Sequence, residues 1–151
     1  SGKDILEECK KYSSKRKISL NFVTPTRLKY QEHFIKNLEF HILIRNLLRR
    51  VSLLSYFHCD KELELDFKGL IEKAKKVKKE DSNLSWYDWQ RYSARQNTKM
   101  LLGGFIGKIT FAFDGVDPRQ FTPLILLGKY IHVGKGTGFG LGKYEISDEK
   151  R

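Results

Sequence analysis

Gly134-Lys135-Gly136-Thr137-Gly138-Phe139-Gly140-Leu141-Gly142-Lys143 stands between a helical pattern that ends near Ile131 and a short final strand, Lys143-Tyr144-Glu145-Ile146. Its five glycines fall at every second position. In an extended segment that parity leaves one face without side chains, and there backbone N–H groups can approach a ligand more closely than any other residue permits. Lys135 and Lys143 bracket the run in a chain of 151 residues with a formal net charge of +11. The pattern suggests a backbone cradle for phosphates, with a flexible, ligand-free loop as the plain alternative. Nucleotide-cofactor loops do not fit. A Walker A loop needs a glycine five residues before its Gly-Lys pair, where this chain has Thr137 or Lys129, and a dinucleotide fingerprint needs glycines of both parities.

Upstream of the run, Thr122-Pro123 reads as an N-cap followed by proline in the first turn, and Leu124, Leu127 and Ile131 give the buried face of a helix. Before it, Phe105, Ile109, Phe111 and Phe113 form the inward set of a strand, opposite Lys108 and Thr110. Gly103-Gly104 and Gly107 mark bulges or close approaches in that strand. Trp86 to Lys99, aromatic and then basic, reads as the preceding strand, with Arg91, Arg95 and Lys99 on one face. Trp86 and Trp89 either pack in the sheet or stack on bases.

Nearer the N-terminus, Ile18, Leu20 and Phe22 alternate with Ser19 and Asn21 as a half-buried strand that stops at Thr24-Pro25. From about Lys29 to Phe57 there is neither Gly nor Pro, and Phe40, Leu43, Leu47, Val51 and Leu54 make a helical core stripe. Arg45, Arg49 and Arg50 read as its solvated side. Leu63 to Glu80 is a second helical segment ending in Lys73, Lys75, Lys76, Lys78 and Lys79, either a nucleic-acid contact or a solubilising face. Residues 1–17 read as a linker, residues 18–147 as one domain and residues 148–151 as a tail. Ser1-Gly2 in place of an initiator Met reads as a cloning scar or an internal start, so a longer protein is expected. The order β–α–(α insertion)–β–β–α–β is the ferredoxin-like arrangement, an α+β fold with helices on one face of an antiparallel sheet and a helical insertion between the first helix and the second strand.

Composition narrows the partners. Forty per cent hydrophobic residues with 13% aromatics suit a folded domain. The pI near 9.6 favours polyanions. No apolar run reaches the length of a membrane span, and no membrane partner is expected. Cys9 and Cys59 form no metal-ligand pattern, neither metal nor cofactor is expected, and free thiols fit a reducing cytoplasm. His58-Cys59 reads as a surface or half-buried pair rather than a dyad.

Several motifs carry a resemblance over about residues 18–146. They are Thr24-Pro25-Thr26-Arg27-Leu28, Trp86-Tyr87-Asp88-Trp89, Arg91-Tyr92-Ser93, Arg95-Gln96, Leu102-Gly103-Gly104 and Gly107. The most specific is Leu127-Gly128-Lys129-Tyr130-Ile131-His132-Val133-Gly134-Lys135-Gly136-Thr137 through Phe139-Gly140-Leu141-Gly142-Lys143-Tyr144. In these the chain resembles the C-terminal half of the CRISPR-associated endoribonucleases that excise guide RNAs from repeat transcripts, members of the RAMP superfamily. The resemblance implies an N-terminal ferredoxin-like domain in the same protein, CRISPR repeat RNA as partner, and other CRISPR effector subunits as further partners. It implies metal-independent cleavage, in which the 2′-OH attacks the adjacent phosphate to leave a 2′,3′-cyclic phosphate and a 5′-OH. The family's general-base histidine usually lies in the first domain, so the catalytic residues are expected outside this chain.

His132 belongs to the motif and reads as positioning or contacting RNA, with direct acid–base work a lesser alternative. His33, His41 and His58 match no motif and read as structural or exposed. RNA contacts are expected from Arg27, Lys29, Arg91, Arg95, His132, Gly134, Lys135, Gly136, Thr137, Gly138, Gly140, Gly142 and Lys143. Two other readings stay open: a non-catalytic RAMP RNA-binding subunit of a CRISPR interference complex, and a basic ferredoxin-like module unrelated to RNA.

Overall fold

The alternation of Ile18, Leu20 and Phe22 produces the central strand, β1 (Lys17–Thr26), with all three side chains buried. The structure, a computed structural model, describes residues 2–59, 66–88, 90–93, 98–101 and 103–147. β1 lies between β7 (Gly104–Ala112) and β8 (Tyr144–Ser147), and β4 (Lys78–Tyr87) pairs with the far edge of β7. Every pairing in this four-stranded sheet is antiparallel. The ferredoxin-like expectation holds: two strand–helix–strand crossovers bring the first strand to the middle of the sheet.

Register explains which face is apolar. Ile18 sits opposite Phe111, Leu20 opposite both Ile109 and Ile146, and Phe22 opposite Tyr144, so one face carries a continuous apolar row. The neighbouring row, Asn83–Lys108–Asn21–Glu145, is polar and faces the other way. Thr110 also belongs to that second face, yet it is buried and hydrogen-bonded to Ser19 at 2.6 Å. Against the apolar face pack α2 (Phe40–Cys59) and α4 (Thr122–Ile131). Phe40 meets Phe111, Phe113 and Phe121 edge-on at 5.1–5.4 Å, a geometry in which ring edges face ring π-clouds. Phe40, Leu43, Leu47 and Val51 are buried as their spacing predicts; the side chain of Leu54 lies outside those described. Burial of each such side chain contributes about 1.5–3 kcal/mol.

Several boundaries differ from the sequence reading. Residues 2–13, expected as a linker, form helix α1 (Gly2–Ser13), which is tied to α4 by Glu8: its carboxylate accepts from Lys129 Nζ at 3.2 Å and Tyr130 Oη at 2.9 Å. β1 does not stop at Thr24 but runs through Pro25 to Thr26. The helix expected from Lys29 begins only at Phe40. Residues 29–34 form instead a small hairpin, β2 (Lys29–Tyr30) with β3 (His33–Phe34), whose turn residues Gln31 and Glu32 both take positive φ. Neither residue type signals such a turn, which ordinarily calls for Asn or Gly. The Leu63–Glu80 helix shortens to α3 (Phe67–Ala74), capped by Asp66 accepting from the Gly69 N–H, and the lysine run continues into β4. Lys78 and Lys79 thus charge an edge strand, which protects it from pairing with another sheet.

The long strand from Trp86 to Lys99 is not formed. β4 ends at Tyr87, and β5 (Gln90–Ser93) pairs with β6 (Thr98–Leu101) as a separate hairpin leading to β7. Gly104 and Gly107 are close-approach positions, as expected. A β-carbon at Gly104 would overlap the Thr26 backbone, and one at Gly107, where φ is +120°, would overlap the Asn83 carbonyl. In α4 the N-cap is Phe121 rather than Thr122, whose hydroxyl donates to the Pro118 carbonyl at 2.8 Å. Leu124 is buried and Leu127 is 39% exposed, because Ile125 and Leu126 take the inward positions instead. Among the described residues no helix is long and apolar enough to cross a membrane.

Candidate nucleic-acid interface

The glycine run is not the extended strip its parity suggests. Gly134, Gly136, Gly140 and Gly142 all have positive φ, between 76° and 90°, and the chain coils through a short 3-10 turn at Thr137–Phe139. The coil hydrogen-bonds to itself: Phe139 N–H and Leu141 N–H donate to the Gly136 carbonyl, and Gly140 N–H to that of Thr137. It is also sewn to the end of β1. Lys135 N–H donates to the Arg27 carbonyl at 3.1 Å, Gly142 N–H to that of Pro25 at 3.1 Å, and Val23 N–H to that of Lys143 at 3.0 Å. Thr24 completes the seam, its hydroxyl donating to the Gly140 carbonyl and accepting from Lys143 N–H, each at 2.9 Å. Side chains would break this packing: a β-carbon at Gly142 would overlap the Val133 carbonyl, and one at Gly134 the Arg27 carbonyl. Six of the ten amides from Gly134 to Lys143 are therefore spent on the fold, and those of Gly134, Gly136, Thr137 and Gly138 have no partner among the described residues.

Beneath the coil, side chains take over. Arg27, Lys29, Arg49, Arg50 and Lys135 converge on a cleft of about 80 Å³ that Asn46 and Gly134 also line. Arg50 donates to the Ile131 carbonyl at 3.0 Å. The Nε atoms of Arg27 and Arg50 are buried without an acceptor. The Arg27 guanidinium lies 4.3 Å from the centre of the Phe34 ring, and the Lys29 ammonium 5.1 Å from it on the same hairpin. None of these five cations pairs with a carboxylate among the described residues. Clustered cations with buried, unfilled donors make a site for oxyanions; phosphate suits the planar fork of arginine.

Of the residues expected to contact RNA, Arg27, Lys29, Gly134 and Lys135 line this cleft together. Gly136, Thr137, Gly138, Gly140 and Gly142 shape the coil above it. Lys143 is exposed at the entry to β8, away from the lining. Arg91 lies in β5 opposite Met100, its side chain outside those described, and Arg95 falls outside the described residues. His132 closes α4 with φ +67° and stands behind the coil, Nδ1–H donating to the Leu141 carbonyl at 3.2 Å. Arg49 and Arg50, read as a solvated face, belong to the site instead. The signal for them was present: α2 contains three arginines and no acid, whereas a merely solvated helix face mixes signs.

Two turns earlier on α2, His41 Nδ1 accepts from Arg45 Nε at 3.1 Å. Burial, then the charges of Arg45 and Lys75, lower its pKa below the ordinary histidine value. At the other end of the seam Tyr144 is fully buried and donates to the Ile125 carbonyl; burial raises its phenol far above the usual range, so it stays a donor.

Residues 20–144 match the family model of the CRISPR-associated endoribonuclease Cas6. The chain belongs to the Cas6 family. Solved Cas6 structures share its fold. Thermus thermophilus Cas6 superposes with a TM-score of 0.68 at 18% identity, over 93% of this chain and 57% of that one. A Cas6 product complex gives 0.62 at 19% identity, over 89% of this chain and 52% of that one. A partial Cas6-RT-Cas1–Cas2 complex gives 0.67 at 16% identity, over 99% of this chain and 26% of that one. The chain thus spans about half the length of the Cas6 structures it matches. No curated protein sequence matches it.

Proposed function

We propose that this chain is the RNA-gripping, C-terminal domain of a Cas6 endoribonuclease that processes CRISPR repeat transcripts into guide RNAs. The observation that carries the reading is the cleft under the glycine coil, where Arg27, Lys29, Arg49, Arg50 and Lys135 meet with no carboxylate among the described residues to neutralise them. Cations so placed bind the backbone of RNA, whose helical grooves offer phosphates and 2′-hydroxyls more readily than base edges. The product complex of a similar Cas6 and the Cas6-RT-Cas1–Cas2 assembly support RNA and other CRISPR proteins as partners.

Cleavage in this reading is metal-independent. A general base on an N-terminal ferredoxin-like domain takes the 2′-OH proton, the 2′-oxygen bonds to phosphorus, and the bond to O5′ breaks. A general acid protonates O5′, leaving a 2′,3′-cyclic phosphate and a 5′-OH. Residues of this chain hold the flanking phosphates and fix the strand for in-line attack. His132, held by the Leu141 carbonyl, positions the coil rather than moving the proton. Single-turnover cleavage of repeat RNA in EDTA by the full-length protein tests the assignment. Tight repeat binding without cleavage points instead to a non-catalytic RAMP subunit, and binding no tighter than to random RNA rejects the RNA reading.

A further inference from the structure

Beside the phosphate cleft lies a second, larger cavity of about 980 Å³, enclosed by the β2–β3 turn, α2 and α3. The two share Lys29, Arg49 and Leu53 in their walls, so a strand that leaves one enters the other. Their chemistry differs. Five of the eight residues lining the cleft are cations, whereas the cavity has an apolar floor of Leu48, Leu53, Phe67 and Ile71 beneath a cationic rim. The rim includes Arg45, whose guanidinium lies 5.1 Å from the centre of the Tyr30 ring. The lip of the cavity is the Gln31-Glu32 turn, whose two positive φ angles are unfavourable for side-chain-bearing residues.

We propose that this cavity is a base-binding subsite that receives an unpaired nucleotide of the RNA strand whose phosphates occupy the neighbouring cleft. The subsite rests on the RNA-binding reading above and goes further, because it requires part of the bound RNA to be single-stranded with its bases turned into the protein. The charges favour this occupant. Among the described residues, Lys29, Arg45 and Arg49 surround a space whose one acidic lining residue is Glu32. A purely apolar peptide would leave those cations unmatched. A nucleotide carries both parts: a flat ring for Phe67, Ile71 and Leu53, and a phosphate for the rim. The volume lies at the upper end of the roughly 300–1,000 Å³ of small-molecule sites, enough for a nucleotide with its flanking phosphates.

The test compares two RNA octamers with the same phosphates, an oligoadenylate and an abasic ribose-phosphate strand, binding to the 151-residue chain by fluorescence anisotropy at several salt concentrations. The oligoadenylate should bind about tenfold more tightly, with the same salt slope for both strands. Phe67→Ala should remove that preference and leave the abasic affinity unchanged. Ile71→Ala should do the same, since Ile71 lines the cavity and not the cleft. Equal affinity for the two strands, both with steep salt dependence, overturns the subsite and leaves the phosphate cleft standing, as does a base preference that survives both substitutions. Failure of either strand to bind overturns the RNA reading and the subsite with it.

Discussion

The glycine coil and the cationic face of α2 border the same cleft but use their polar groups in opposite ways. The coil spends most of its amides on itself and on the end of β1, so its glycines supply shape. On α2, Arg50 keeps its Nε buried with no acceptor among the described residues and Arg49 lines the cleft, so in the proposed reading this face supplies the grip. A conspicuous motif is therefore not the binding group itself; it is the frame that brings Lys135 over Arg27 and Arg50. Substitutions in the coil should act through stability, and substitutions on the helix through affinity.

The largest expected effect is Gly142→Ala. A β-carbon there meets the Val133 carbonyl at a φ of +76°, so unfolding in urea should show a loss of about 2–4 kcal/mol. RNA binding should fall only in proportion to the unfolded fraction. Next come Arg49→Ala and Lys135→Ala. Each should weaken RNA binding about tenfold, lower the salt slope by about 1 and leave the urea midpoint in place. An unchanged slope in filter binding would rule out a direct phosphate contact. Replacing the turn by Gln31→Asn with Glu32→Gly should stabilise the chain by about 1 kcal/mol, since both positions have positive φ.

A smaller effect is pH-dependent. The pKa of His41 is lowered in the fold, chiefly by burial, so below its ordinary value near 6.5 the unfolded chain binds a proton that the folded chain does not. That contribution to stability is whole above that pH and is lost as the pH falls through it; His41→Gln should flatten the melting-temperature profile between about pH 7 and 5. The smallest effect is that of Gly138→Ala, within about 0.5 kcal/mol, because Gly138 has no positive φ and open space around its α-carbon.

Legibility in the sequence follows the same division between shape and grip. Ile18, Leu20 and Phe22 show a two-residue period because they face a buried row, and Phe40, Leu43, Leu47 and Val51 show a helical one. The edge strand β4 shows neither, since Lys78 to Ser85 are held by pairing with β7 rather than by their own burial. The Gln31-Glu32 turn and α1 escape notice for a related reason: what fixes them, α2 and α4, lies far along the chain. Within the site, the lysine and glycines of the coil were legible because their spacing is unusual. Arg49 and Arg50 carried only the weaker signal of an acid-free helix, because a cation on a helix becomes a ligand only when a distant loop closes over it. The base-binding cavity left no linear trace, its floor being drawn from two helices.

The seam between Thr24 and Gly140 joins residues 116 positions apart and is made by the same bonds that roof the cleft. A ribosome releases the coil and β8 after every other element described here. A nascent chain therefore has its arginines before it has a place to use them. During synthesis the cleft can close only once the coil has left the ribosome.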